Sequence, residues 1–207
     1  MDLKTACTAI LMVVSASFVF ACMAASQGPD LVVAENGSTR AIIVVRANAG
    51  SWEQKAGADL QKYIKLMTGA EPAILDTAPG GANPVLLVGE AALVIEPSLG
   101  EALQRIKKRD ALVRADAVVV RRTGNRIYLA GSNDESHYFA VAWLLNQWGC
   151  RWYLPTEIGE VIPESERLTV GPLDFAYAPP FEIRHYWLSW NADRTGSDEF
   201  RRRNFRD

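Results

Sequence analysis

Residues 127–155, IYLAGSNDESHYFAVAWLLNQWGCRWYLP, decide how this chain folds. The run opens with an apolar β-type segment, Ile127 to Ala130. Ser132, Asn133 and Asp134 then stand as candidate helix caps, because a short polar side chain can accept the orphan N–H groups of a first turn. Tyr138, Val141, Ala142, Leu145 and Trp148 recur at helical spacing and define one inward face. Gly149 supplies the stop, since glycine enters the left-handed region without a Cβ penalty. The reading is a strand running into a capped amphipathic helix, followed by an Arg-aromatic turn at Arg151, Trp152 and Tyr153. No catalytic group is evident in it. Asp134-Glu135 is explained by acids at a helix N-terminus. Cys150 would need a histidine base to act as a nucleophile. Neither His137 nor His185 lies in a recognised pairing, so Cys150 reads as a buried structural thiol.

Working upstream, residues 31–33 and 41–45 are β-rich runs flanking the turn pair Asn36-Gly37 and predict a hairpin. Ser51, with Gln54 three residues on, reads as a capping box. Ala56, Leu60, Tyr63, Ile64 and Met67 share one helical face, and Gly69 ends that helix. A short strand over 73–75, a continuous apolar strand over 85–89 and a short helix over 98–108 follow. Residues 117–120 and 126–130 predict a hairpin through Thr123-Gly124-Asn125. Downstream, 160–162 and 168–170 read as short strands, Pro172, Pro179 and Pro180 as a linker, and 181–187 as a new strand. This order predicts an α+β, sandwich-like fold: a mixed sheet with helices packed mainly on one face.

The chain has 207 residues and a formal net charge of −2. Its charges are interspersed, which points away from nucleic acid as a partner. Residues 1–25 read as a signal peptide, with Lys4 in a short n-region, an apolar run over 9–21 and small residues at Ala21, Ala24, Ala25 and Ser26. That run is short for a membrane span and no stop-transfer charges follow it, so no span is expected in the mature chain. Val19-Phe20-Ala21-Cys22 also resembles a lipobox, which would make Cys22 the lipidation site and provide a lipid anchor. Ordinary cleavage near Ala24 or Ala25 is the alternative. Either way the expected location is outside the cytoplasm: periplasm, outer membrane or secreted. Two separated histidines and one mature cysteine point away from a metal site. Gly80-Gly81 lacks the strand–loop–helix setting of a phosphate loop, and no cofactor is expected.

Four segments together carry a family resemblance. They are Tyr63-Ile64-Lys65-Leu66-Met67-Thr68-Gly69-Ala70, Val85-Leu86-Leu87-Val88-Gly89, the 127–155 block, and Gly159-Glu160-Val161-Ile162-Pro163. They resemble the domain that precedes the catalytic barrel in family 20 β-hexosaminidases and family 67 α-glucuronidases. They are most similar to bacterial proteins whose barrel is called domain of unknown function 4838. The resemblance covers about residues 30–190, and its most specific part is Gly149-Cys150-Arg151-Trp152-Tyr153-Leu154-Pro155. It departs from the pattern at Glu135-Ser136-His137, where a glycine-containing turn is usual.

By this resemblance, residues 28–178 form the accessory domain, and 179–207, which include Pro180-Phe181-Glu182-Ile183-Arg184, begin a truncated (β/α)8 barrel. The intact protein would hydrolyse glycosidic bonds through barrel carboxylates absent from this chain, with a poly- or oligosaccharide as its partner. The chain itself is then expected to be a non-catalytic accessory domain of a glycoside-hydrolase-like protein. A stand-alone carbohydrate-binding or cell-surface interaction module is the alternative.

The resemblance also assigns residues. Arg184 falls where family 20 has an arginine reaching sugar hydroxyls, a task suited to a planar guanidinium, although His185 replaces a small residue there. A structural salt bridge is the other reading of Arg184. Trp187 and Trp190 could stack on a pyranose ring or fill a core. Arg151, Trp152 and Tyr153 read as a domain-interface brace. Asp198-Glu199 is similar to the family 20 acid pair but follows the first strand too closely, so Ser197-Asp198-Glu199 reads as a helix N-cap with acids in the first turn. Arg201, Arg202, Arg203 and Arg206 read as one solvated helix face. No residue is assigned as catalytic.

Overall fold

The computed structural model describes residues 29–185 and 194–206. Its main sheet has six strands in the order β10-β5-β6-β4-β2-β3. These are β2 (Ile42–Val44), β3 (Ala73–Leu75), β4 (Val85–Val88), β5 (Val118–Thr123), β6 (Arg126–Gly131) and β10 (Asp174–Tyr177). β3, β2, β4 and β6 run parallel, while β5 and β10 add an antiparallel side. Two small sheets lie apart. One pairs β1 (Leu31–Glu35) with β9 (Arg167–Val170), the other β7 (Arg151–Trp152) with β8 (Glu160–Val161). The helices are α1 (Ser51–Thr68), α2 (Glu90–Ile95), α3 (Ser98–Ile106), α4 (Asp134–Gln147) and α5 (Arg194–Arg203). This is the α+β, mixed-sheet architecture that the pattern of elements predicts.

β2 and β4 are apolar at every position because both faces of the sheet are covered there. Ile43, Leu86, Val88, Ile127 and Leu129 point to the face packed by α1 and α4. Val44, Val85, Leu87, Tyr128 and Ala130 point to the opposite face, under α2 and α3. The long helices thus share one face, with Phe200 of α5 joining the same cluster. The two short helices close the other. Each fully buried Leu or Ile contributes about 1.5–3 kcal/mol.

α1 and α4 have the limits that the sequence implies. Gly69 adopts φ 75° and its N–H donates to the Lys65 carbonyl at 2.8 Å. Among the candidate caps of α4, Asn133 takes the role, its side chain accepting from the Ser136 N–H at 3.0 Å. Trp148 ties the far end of α4 to β9, its Nε1 donating to the Thr169 carbonyl at 2.9 Å.

Several expectations are corrected. Residues 31–35 and 42–44 do not form a hairpin. Asn36 and Gly37 make the turn, with φ of 49° and 71°, but β1 pairs with β9 while β2 enters the main sheet between β3 and β4. The turn is a local property; the choice of partner is not. The proline-flanked linker contains β10, whose four residues pair with β5 between Pro172 and Pro179 rather than through them. α2 appears where none is predicted, because Gly89 turns the chain directly from β4 into a helix of only six residues. No strand begins over 181–185. No helix among the described residues is long and apolar enough to cross a membrane.

Candidate functional site

Arg184 is 8% exposed. Its Nη2 donates to Asp116 Oδ2 at 2.6 Å, its Nε to the Phe205 carbonyl at 2.7 Å and its Nη1 to the Phe181 carbonyl at 2.7 Å. The ion pair that stood as the alternative to sugar contact is therefore present. Asp116, 4% exposed, also receives Asn133 Nδ2 at 2.9 Å, Ser136 Oγ at 3.0 Å and Arg114 Nη2 at 2.9 Å. Burial pushes the Asp116 carboxyl up, but the bonds from Asn133, Arg184 and Arg114 outweigh it and hold it below the usual carboxylate range. One carboxylate thus joins the N-cap of α4 to the segment that carries Arg184.

Arg203 forms a second seat. From α5, its Nη2 reaches Asp59 Oδ2 at 3.1 Å and Glu199 Oε2 at 3.0 Å, while Nη1 reaches Glu160 Oε1 at 2.8 Å. Its Nε donates to the Tyr138 hydroxyl at 3.2 Å, and that hydroxyl donates to Asp59. Lys55 Nζ adds a contact to Asp59 at 2.9 Å and one to Glu199 at 3.1 Å. The basic run is therefore not a solvated face. Arg202 pairs with Glu135 at 2.6 Å and covers Trp52, and Arg203 is buried. Ser197, Asp198 and Glu199 do not cap α5 either, because the helix already starts at Arg194.

The residues of the expected brace separate. Trp152 is buried, edge-on to Tyr63 with centroids 5.4 Å apart, and its Nε1 donates to the Tyr63 hydroxyl at 2.9 Å. Arg151 Nη1 donates to the Asn146 and Cys150 carbonyls at 2.6 and 2.8 Å, closing the end of α4. Only Tyr153 stands outward, 67% exposed. Trp187, Trp190 and Cys22 lie outside the described residues.

The N-termini of α1, α2 and α4 converge at the carboxyl ends of β2, β4 and β6. Ser51 does not cap α1. Asp134 does so from α4, its Oδ1 and Oδ2 accepting the Glu53 and Trp52 N–H groups at 2.9 and 3.1 Å. Glu53 in turn accepts the Glu90 N–H at 3.0 Å. Both contacts require glycine. A Cβ on Gly50 would lie 2.2 Å from Asp134 Oδ1, and one on Gly89, at φ +58°, would lie 2.3 Å from Glu53 Cδ. A glycine directly before an acid-bearing helix start is the one sequence signal that could have flagged these caps.

Burial pushes the Glu53 carboxyl up to about 7 from an ordinary 4.5, with Glu90 and Asp134 adding repulsion. A raised folded-state value favours the protonated fold, so this stabilisation is complete below pH 4.5 and is lost as pH rises to about 7. Glu53→Gln keeps the acceptor but cannot ionise. It is expected to be more stable than the parent chain at pH 8, by about 1–3 kcal/mol, and to converge with it at pH 4. Urea titrations at the two pH values check this.

His137 accepts the Gly131 N–H on Nδ1 at 2.9 Å, and burial pushes its value below 6.5, so it is a neutral, structural imidazole. The Cys150 thiol is pushed up to about 11 by burial and faces Met67 Sδ at 3.7 Å. That is the setting of an inert thiol. Trp143 stacks on Phe175 at 4.1 Å and binds β10 to α4. No group of three or more His, Cys, Asp or Glu side chains among the described residues could hold a metal ion.

No protein-family model matches the chain, and no curated protein matches it. Solved structures do. One is a family GH115 4-O-methyl-α-glucuronidase, BtGH115A, with specificity for decorated arabinogalactans. It superposes at a TM-score of 0.56 with 14% identity, over 75% of this chain and 19% of that one. Another is CpGH84D, at a TM-score of 0.38 and 16% identity, over 68% of this chain and 21% of that one. The chain thus spans about a fifth of the length of either. What the first likeness shows is the fold: the α+β arrangement of this chain is similar to one found within a much longer glycoside hydrolase chain.

Proposed function

We propose that this chain is a carbohydrate-related accessory domain, non-catalytic itself, that braces a glycoside-hydrolase-type barrel. The observation that carries the reading is the double arginine seat. Arg184 on Asp116 and Arg203 on Asp59 and Glu160 clamp residues 181–185 and 194–206 onto α1, β8 and the segment before β5 through buried ion pairs. A brace needs such a joint, because desolvated charge pairs have one good geometry and lose much when displaced. The likeness to part of an α-glucuronidase chain supports the same reading. The chemical groups weighed from the sequence are otherwise engaged: Asp198 pairs with Arg201, Glu199 with Arg203, and Cys150 is a buried, protonated thiol. Export, by the leader over 1–25 and with Cys22 as a lipid anchor in one version, belongs to the same proposal.

The test is turnover. The purified chain is expected to release no nitrophenol from a panel of aryl glycosides above the buffer rate. Measurable release, abolished by Asp198→Asn or Glu199→Gln, would overturn the non-catalytic reading.

A further inference from the structure

The crevice outside the carboxyl ends of β2 and β3 is where the helices of this sheet part. α1, which follows β2, packs on the face of Ile43 and Leu86. α2 and α3, which follow β4, pack on the face of Val44 and Leu87. β2 and β4 are parallel neighbours. Where adjacent parallel strands send their helices to opposite faces, the first loops separate and leave a crevice, and open α/β sheets bind their ligands there.

In this chain the crevice holds about 400 Å³, enough for one sugar-sized molecule. Val44, Ala91 and Ile95 give it an apolar floor, and Val94 stands at its mouth, 59% exposed. Arg46, Asn48 and Asp76 line its polar side. The Thr77 hydroxyl donates to Asp76 Oδ1 at 3.2 Å and orients that carboxylate. The Arg46 guanidinium and the Asn48 amide make no hydrogen bond or ion pair among the described residues, whereas Arg184, Arg202 and Arg203 all do.

We propose that this crevice binds a neutral sugar ring of monosaccharide size. The floor offers an apolar surface to the C–H face of the ring. A guanidinium that only donates, a carboxylate that only accepts and an amide that does both complement vicinal hydroxyls, each of which donates and accepts. The opposite charges of Arg46 and Asp76 balance, which favours a neutral ligand over an anion. This goes beyond the accessory role and stands apart from it. The site needs no barrel, and an aryl-glycoside assay leaves it untouched.

Saturation-transfer NMR on the 207-residue chain, with glucose, galactose, xylose and arabinose as probes, tests the site. At least one sugar is expected to bind with a Kd on the order of a millimolar, and Arg46→Ala to weaken it about tenfold. Arg46 is exposed, so the variant should keep the parent melting temperature. Val94→Asp, at the mouth, should weaken the same sugar. The proposal fails if no sugar transfers saturation, if both variants bind like the parent chain, or if glucuronate binds about tenfold tighter than every neutral sugar.

Discussion

Arg203→Met is expected to destabilise the chain by about 3–5 kcal/mol, the range seen when one partner of a buried ion pair is removed. Methionine fills similar length but brings no charge. Asp59, 2% exposed, would keep only Lys55 and the Tyr138 hydroxyl, and Glu160 would keep the Tyr63 hydroxyl. Burial pushes the Asp59 carboxyl up, but Arg203, Tyr138 and Lys55 outweigh it and hold it below the usual range. A lowered folded-state value contributes stability above about pH 4 that is lost as pH falls through the folded value. The parent chain should therefore lose stability as it is acidified below that point, and Arg203→Met should show a flatter acid limb. Adding Asp59→Asn to the variant is expected to recover part of the loss, because the uncompensated charge disappears. Urea unfolding at pH 7, and at several values below pH 4, measures all of this. A cost under about 1 kcal/mol would mean that the seat behaves as a surface ion pair and does not lock α5.

Asp116→Ala is expected to cost about 3–4 kcal/mol and to act at two places at once. Arg184 would stay buried without its carboxylate, and the Asn133 amide and Ser136 hydroxyl at the start of α4 would lose their common acceptor. The loss should also have a direction along the chain. Arg184 ties residues 181–184 and Phe205 to Asp116, so limited proteolysis of Asp116→Ala should cut in the C-terminal segment before it reaches the sheet. Asp116→Asn retains an acceptor for the cap but removes the charge that position 116 offers Arg184, so its damage should concentrate in the C-terminal segment. Uniform digestion of both variants would contradict the joint.

The two predictions concern residues whose importance is invisible along the chain. In the sequence, Arg203 is one of three consecutive arginines, and Asp116 is one acid in a loop. Asp59 and Arg203 meet across 144 residues. Glu135, Glu160 and Asp59 come from different elements to reach one basic run, which turns an apparently solvated face into a buried one. The caps of α1 show the same limit. Ser51 has the right chemistry in the right place, yet Asp134 reaches the first-turn N–H groups because Gly50 leaves room for it.

Other features were legible because they act within one turn of chain. The period of apolar residues in α1 and α4, Asn133 as a cap, Gly69 as a left-handed stop and the β5–β6 hairpin all follow from contacts three to five residues apart. Even the misplaced first hairpin had its turn at Asn36-Gly37 read correctly.

Taken alone, the sequence determined the two long helices, most of the strands and the α+β class, since backbone dihedrals, caps and hydrophobic period are local properties. The tertiary structure alone decided which strands pair beyond the β5–β6 hairpin, which carboxylate caps α1, and which arginines are buried. A charge can leave water only where distant partners offset its desolvation, and the order of residues carries no measure of that distance.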